Sequence, residues 1–255
     1  MSSKAFPVKD VPVAILAGGL GQRLKPLSQK IPKALVDVVG KPFVARQLEL
    51  LRKQGLKRIV LCVGHLGGMI QEVIGDGMRY GLQIDYAFDG PRLLGTGGAL
   101  RRARDLLGDE FFVLYGDSYL EFDYMAAYST FKKSQRLGLM SVYKESNRRQ
   151  PSNVLYARGE ILAYDKRQPT PDMHHIDYGL SILKAAALDE IPEEQPYDLG
   201  DLYHFLAARG ELAGYEVFRR FYEIGSQDGL EKIRAYFLKR KTEGAARGCG
   251  FHVLF

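Results

Sequence analysis

Between Leu16 and Pro42 the chain reads LAGGLGQRLKPLSQKIPKALVDVVGKP, and the residue types in this run suit the handling of a polyphosphate. Gly18, Gly19 and Gly21 leave backbone N–H groups that no side chain screens, which is how a turn cradles phosphate oxygens. Arg23, Lys25 and Lys33 follow within reach of any anion held there. Further on, Gly116-Asp117-Ser118 places a carboxylate just beyond an apolar run, where a hard cation such as Mg²⁺ can be held beside phosphates. Each feature also has a plain reading: the glycines as a tight turn, the aspartate as a turn cap. The absence of Gly-Lys-Ser/Thr after the glycines excludes a P-loop, and Leu24 stands where a dinucleotide fingerprint places its last glycine.

Such residues need a scaffold, and the hydrophobic pattern supplies one. An apolar strand over 11–17 runs into the glycines, and Pro42 opens a helix carrying Phe43, Val44, Leu48 and Leu51 on one side, ending near Gly55. A strand over 58–63, a helix over 69–74, a strand over 82–88 and a helix ending near Ala103 continue the alternation. The strand over 111–115 delivers Asp117 at its C-terminal end, where ligands of open parallel sheets bind. This order predicts right-handed βαβ units, hence an α/β fold with a Rossmann-like, mainly parallel sheet flanked by helices. A helix over 122–136 and a strand over 137–143 follow, and then the pattern changes. Short strands over 153–156, 160–164 and 175–183 with polar turns between them predict an inserted antiparallel subregion continuous with the main sheet. A helix over 197–208, a strand over 211–218 and a helix from Gln227 to about Arg240 complete the chain before a tail over 244–255.

The run GGLGQRLKPLSQKIPKAL resembles the signature of the sugar-1-phosphate nucleotidyltransferases, Gly-Gly-x-Gly-x-Arg-Leu-x-Pro-Leu followed by Pro-Lys-x-Leu. The resemblance spans roughly residues 11–240 and implies the nucleotide-diphospho-sugar transferase fold in a single domain. Its nucleotide part would be 11–143, its sugar part 144–226, and its C-terminal helix and tail 227–255. It implies that Leu16, Ala17, Gly18, Gly19 and Gly21 wrap the triphosphate of an NTP, that Arg23 grips its phosphates, and that Lys33 stabilises the reacting phosphate. Asp117 inherits the Mg²⁺-binding role, and Glu223 stands where the family places the aspartate that is its second metal ligand. The segment RLLGTGGALRRA aligns with the part that lines the nucleobase pocket, implicating Gly95, Thr96 and Gly97. There, glycines let a flat base approach the backbone. Its form is most like that of heptose- and mannose-1-phosphate guanylyltransferases, which makes GTP the expected nucleotide. The family's Glu-Pro before Leu-Gly is replaced by Asp89-Gly90-Pro91-Arg92, so Asp89 reads either as an acceptor for guanine N–H donors or as an exposed turn residue. Lys166, after Asp165 where the family has glutamate, matches the lysine that contacts the sugar phosphate. Asp177-Tyr178-Gly179 matches an Asn-Ala-Gly element that binds sugar hydroxyls, so Asp177 and Gly179 are expected there. A uridylyl- or thymidylyltransferase, and a nucleotide-sensing relative without catalysis, stand as the alternatives.

The composition agrees with an enzyme of small phosphates. The 255 residues carry a net charge of +6 with 46% hydrophobic and 26% charged residues, ordinary for a globular protein with anionic partners. The basic residues are scattered and no stacking motif is present, which argues against nucleic acid. No apolar run approaches a membrane span and the start has no signal-peptide core, so a cytoplasmic location without membrane attachment is expected. Cys62 and Cys249 suit a reducing compartment without disulfides, and the five histidines lack metal-ligand spacing. The expected partners are therefore an NTP and a sugar 1-phosphate, with an isologous homodimer the base-rate assembly.

Overall fold

A computed structural model describes residues 8–21, 30–145 and 152–248. Arg23, Lys25 and Cys249 lie outside the described residues.

Strand β1 (Val13–Leu16) leads into the glycine run, and α1 (Phe43–Lys53) begins after Pro42, whose ring holds φ at −55°. The apolar residues Val44, Leu48 and Leu51 recur at helical spacing and are fully buried. Strand β2 (Arg58–Val63), α2 (Gly67–Ile74), β3 (Gln83–Phe88), α3 (Gly95–Arg102), α4 (Arg104–Leu107) and β4 (Glu110–Tyr115) follow in the alternation that the sequence predicts. A two-residue strand β5 (Ser118–Tyr119) precedes α5 (Tyr124–Ser134), which Asp123 caps by accepting the Ala126 N–H at 2.9 Å. Then come β6 (Gly138–Lys144), β7 (Val154–Ala157), β8 (Glu160–Tyr164), β9 (His175–Lys184), α6 (Leu199–Ala208), β10 (Leu212–Val217), β11 (Tyr222–Glu223) and α7 (Gln227–Gly248). Helix α7 runs through Gly248, beyond the expected end near Arg240 and into the segment read as tail. No helix among the described residues is long and apolar enough to cross a membrane.

Nine strands form one sheet in the order β3-β2-β1-β4-β9-β6-β10-β8-β7, and β5 and β11 form a separate ribbon. Strands β3, β2, β1 and β4 are parallel, with Leu16 level with Cys62 on one side and Tyr115 on the other. The four strands therefore end along one edge, and all their following loops project there. The chain passes from β3 back across to β4 beyond β1, so the strand order reverses at β1, the place where such sheets leave a crevice.

Strand β9 departs from the sequence reading. It is a ten-residue strand in the middle of the main sheet, antiparallel to both β4 and β6, and only β7 and β8 form a short hairpin at the far side. Most of its residues are buried on both faces, polar Ser181 and His175 among them, as befits a central strand. Two cores sandwich the sheet. Val13, Ile15 and Leu114 face Leu48 and Leu51 of α1 and Phe131 of α5; Ala14, Val60 and Val113 face Leu100 of α3 and Leu202 and Leu206 of α6. A third, smaller core joins Val36, Val38, Phe43 and Tyr119 to Ile224, Leu230 and Ile233 under α7.

Candidate active site

A cleft of about 260 Å³ opens at the crevice beside β1. Its walls include Leu16, Ala17, Gly18, Gly19, Gly21, Gly95 and Thr96, expected at the nucleotide, Lys33, expected at the reacting phosphate, and Asp117, expected at the metal: four separate stretches of sequence. The backbones at its floor are very close. The Gly116 N–H donates to the Leu16 carbonyl at 3.0 Å, and a Cβ on Gly116 would stand 2.5 Å from that oxygen, so only glycine fits between the ends of β1 and β4.

Asp117 faces this cleft beside Lys33, whose Nζ donates to Asp117 Oδ2 at 2.7 Å, while the Ser118 hydroxyl donates to Oδ1 at 3.3 Å. The turn that carries Asp117 is pinned from behind by a residue the sequence reading passed over. Gln47 of α1 is 1% exposed, and its Nε2 donates to the carbonyls of Tyr115 at 3.1 Å and Ser118 at 2.8 Å. The signal was present: Gln47 is a polar residue among Val44, Leu48 and Leu51 on the buried side of its helix.

Asp89 is buried at the back of the cleft, which settles its status against an exposed turn residue. Its Oδ2 accepts the Leu94 N–H at 3.2 Å, leaving its second oxygen without a partner among the described residues. Burial raises its carboxyl above the ordinary range, opposed by the Leu94 bond and by Arg102. Burial first, and then Asp89, push the neighbouring Cys62 thiol up to about 12, so it is no nucleophile at neutral pH.

The glycines in the first turn of α3 have a different neighbour from the one expected. Gly97 N–H and Gly98 N–H both donate to the Tyr197 carbonyl, at 2.8 and 3.2 Å, and a Cβ at Gly95 or Gly97 would meet Tyr197 within 2.8 Å. The close approach they permit is made by the segment ahead of α6, and the Thr96 hydroxyl accepts the Leu199 N–H at 2.8 Å in the same junction. Gly95 and Thr96 also line the cleft; Gly97 does not.

Asp177, Gly179 and Lys166 do not line this cleft, but Tyr115, which does, links to Asp177. The Tyr115 hydroxyl donates to Asp177 Oδ2 at 3.4 Å, and the Gly179 N–H donates to Oδ1 at 2.9 Å. Burial raises the Asp177 carboxyl, against the pull of that N–H and of Lys166. Lys166 reaches Asp198, the N-cap of α6, at 3.4 Å. Asp165 does not join them: it accepts the N–H groups of Arg167 and Gln168, closing its own turn, and these bonds lower its pKa.

Glu223 is brought beside Asp117 through the backbone. Strands β5 and β11 pair Ser118 with Glu223, and the Ile224 N–H donates to the Asp117 carbonyl at 2.9 Å. Its carboxylate, however, accepts the Gly225 N–H at 2.5 Å and the Ser226 hydroxyl at 3.0 Å, closing the turn into α7, and Glu223 does not line the cleft. Asp117, just ahead of β5, and Glu223, on β11, are the kind of carboxylate pair that Mg²⁺ takes together with phosphate oxygens and water. Asp117 would have to share or release Lys33, and Glu223 its turn, for the two to hold the ion together.

Residues 13–153 match the family described as nucleotidyl transferase. A UTP–glucose-1-phosphate uridylyltransferase of Synechocystis is 30% identical over 77% of this chain and 55% of its own length. The mannose-1-phosphate guanylyltransferase catalytic subunit beta of Xenopus tropicalis is 30% identical over 83% of the chain and 60% of its own length. The chain thus spans little more than half the length of these curated relatives. Among solved structures, HddC from Yersinia pseudotuberculosis, in complex with GMP-PN, superposes with a TM-score of 0.72 at 28% identity, covering 89% of this chain and 99% of that one.

Proposed function

The chain belongs to the nucleotidyl transferase family, and from that premise we propose that it transfers a nucleoside monophosphate from an NTP onto a sugar 1-phosphate, releasing pyrophosphate. The observation that carries this reading is the Lys33–Asp117 pair, 2.7 Å apart, at a cleft walled by the glycine run on one side and Gly95 and Thr96 on the other. A cation and a glycine turn suit a triphosphate, and a carboxylate beside them suits the Mg²⁺ that would accompany it.

A sugar-phosphate oxygen attacks the α-phosphorus in line; the new P–O bond forms as the bond to pyrophosphate breaks, and pyrophosphate carries the electron pair away. The attacking phosphate monoester is already an anion at neutral pH, so neither a protein nucleophile nor a general base is needed. Lys33 supplies positive charge where negative charge gathers, and the Gln47-anchored turn fixes Asp117. Arg23, from the same run, adds a second cation for the NTP. Mg²⁺, when held by Asp117 and Glu223, would neutralise phosphate charge. Lys166 orients the sugar phosphate, with Asp177 and Gly179 on the sugar.

GTP is the favoured nucleotide, because the free oxygen of buried Asp89 is an acceptor suited to the N1 and N2 donors of guanine. The favoured acceptors are heptose or mannose 1-phosphate; a uridylyl- or thymidylyltransferase is the alternative. A nucleotide-sensing role without catalysis is favoured by one observation, the engagement of both Glu223 oxygens in the turn before α7. Pyrophosphate release measured across the five common NTPs, crossed with mannose, glucose, N-acetylhexosamine and heptose 1-phosphates, decides. Release with GTP and one of these sugars is expected, and no release in any combination rejects the transfer.

A further inference from the structure

Lys33 and Asp117 occupy each other, although each has a second use in the same cleft. The Lys33 ammonium lies 2.7 Å from Asp117 Oδ2, and Oδ1 takes the longer 3.3 Å bond from the Ser118 hydroxyl. The two side chains are 16% and 31% exposed, so water screens the pair only in part. A divalent cation at Asp117 therefore contends with an ammonium on the same carboxylate, and like charges at that range repel. A phosphate at Gly18, Gly19 and Gly21 would attract the same ammonium, since Lys33 lines the cleft together with them. Glu223 is engaged as well, its two oxygens accepting the Gly225 N–H and the Ser226 hydroxyl.

The ammonium can change partners without moving the chain. Lys33 begins a short helical turn, Lys33–Leu35, in which the Leu35 N–H donates to the Pro32 carbonyl at 2.8 Å and the Val36 N–H to the Lys33 carbonyl at 3.1 Å, with Ala34 buried. The backbone is fixed there, while a flexible aliphatic stem carries the charge. The carboxylate's turn is fixed too, by Gln47 on the Ser118 carbonyl at 2.8 Å and by the Ile224 N–H on the Asp117 carbonyl at 2.9 Å. An exchange of partners is thus confined to side chains. We infer that Lys33 closes Asp117 to a divalent cation until the phosphates of a nucleotide draw the ammonium away, so that the cation enters with the nucleotide or after it, and not before. The inference rests on the proposed reading of this cleft as the site of an NTP and its metal.

Binding of Mn²⁺ alone, followed by electron paramagnetic resonance with no nucleotide added, tests it. Lys33→Met should bind the ion about three- to tenfold more tightly than the wild type, because the competing cation is gone. The gain should vanish when Asp117→Asn is added, which ties it to that carboxylate. Lys30→Met removes an exposed charge from the same stretch and should leave the affinity as it is, since a distant charge is screened. A second measurement does not depend on the folding of the Lys33 variant. With all metal removed by a chelator, inorganic tripolyphosphate should bind Asp117→Asn about three- to tenfold more tightly than the wild type, because Lys33 is released to it. Unchanged or weaker Mn²⁺ binding by Lys33→Met, which would mean that ammonium and ion share Asp117, overturns the inference. An equal gain in Lys30→Met, or tripolyphosphate binding that does not improve in Asp117→Asn, overturns it as well. Neither measurement needs turnover: a protein that releases no pyrophosphate from any pair of substrates loses the proposed transfer, while the exchange at Lys33 stands or falls on these affinities.

Discussion

Replacing Gln47 by leucine tests whether the turn bearing Asp117 is held from α1. The substitution keeps the side chain's approximate volume and removes the Nε2 donor from two carbonyls, Ser118 at 2.8 Å in a buried setting and Tyr115 at 3.1 Å in a partly buried one. A buried acceptor left without its donor costs about 1–3 kcal/mol, the Ser118 carbonyl towards the upper part of that range and the Tyr115 carbonyl towards the lower. An opposing term exists: Gln47 Oε1 is itself buried without a partner among the described residues, and deleting it returns a penalty of the same order, about 1–3 kcal/mol. The balance is a loss of about 1–3 kcal/mol, read as a lower urea midpoint at unchanged slope. Activity should fall more than this stability change implies, by about tenfold to a hundredfold in kcat, because the anchored turn positions the carboxylate at the reacting phosphate. A Gln47→Leu variant with wild-type kcat would refute the positioning role, whatever its midpoint, and an unchanged midpoint would refute the balance of penalties as well.

Three other outcomes are expected. Asp117→Ala should lower pyrophosphate release by about 10²-fold or more while circular dichroism and the melting midpoint hold, since its partner Lys33 keeps access to solvent at 16% exposure; normal turnover would remove the metal and charge assignment. Asp89 has a folded-state pKa raised above its unfolded value, so its contribution to stability is complete below the ordinary aspartate range of about 4 and is lost as pH rises through the raised value. Asp89→Asn should therefore gain on the wild type in urea midpoint as pH increases, and parallel midpoints across pH would contradict the burial assigned to this carboxyl. Gly116→Ala places a Cβ 2.5 Å from the Leu16 carbonyl and should destabilise by about 1–3 kcal/mol or more; a variant with an unaltered melting midpoint would show that the ends of β1 and β4 are not tightly apposed.

The parts of the site that were legible in the sequence are those whose chemistry is local. The glycine run after β1, the lysine after Pro32 and the Gly-Asp pair after β4 announce themselves because a loop at a strand's C-terminal end leaves few uses for such residues, and the structure gathers them around one cleft. Residues acting through tertiary contact were not legible. Gln47 and Asp198 matter for what lies opposite them, and Asp89 could not be told from a surface turn until its burial was known. The glycines in the first turn of α3 show the same limit from another side: their need for space was readable, but not that the Tyr197 backbone fills it. Strand β9 looked like part of a peripheral hairpin because its flanks are polar, and its central place follows only from pairing with β4 and β6.

Because β9 runs against both neighbours, the chain leaves β6 and re-enters β9 at the same rim of the sheet, the rim where the glycine run after β1 also lies. The described part of the intervening chain, 152–174, carries Lys166 and enters β9 at that rim. Its length and composition are free of the register that binds β1, β2 and β4 together. An exchange of this segment should leave the pairing of β1, β2 and β4 intact.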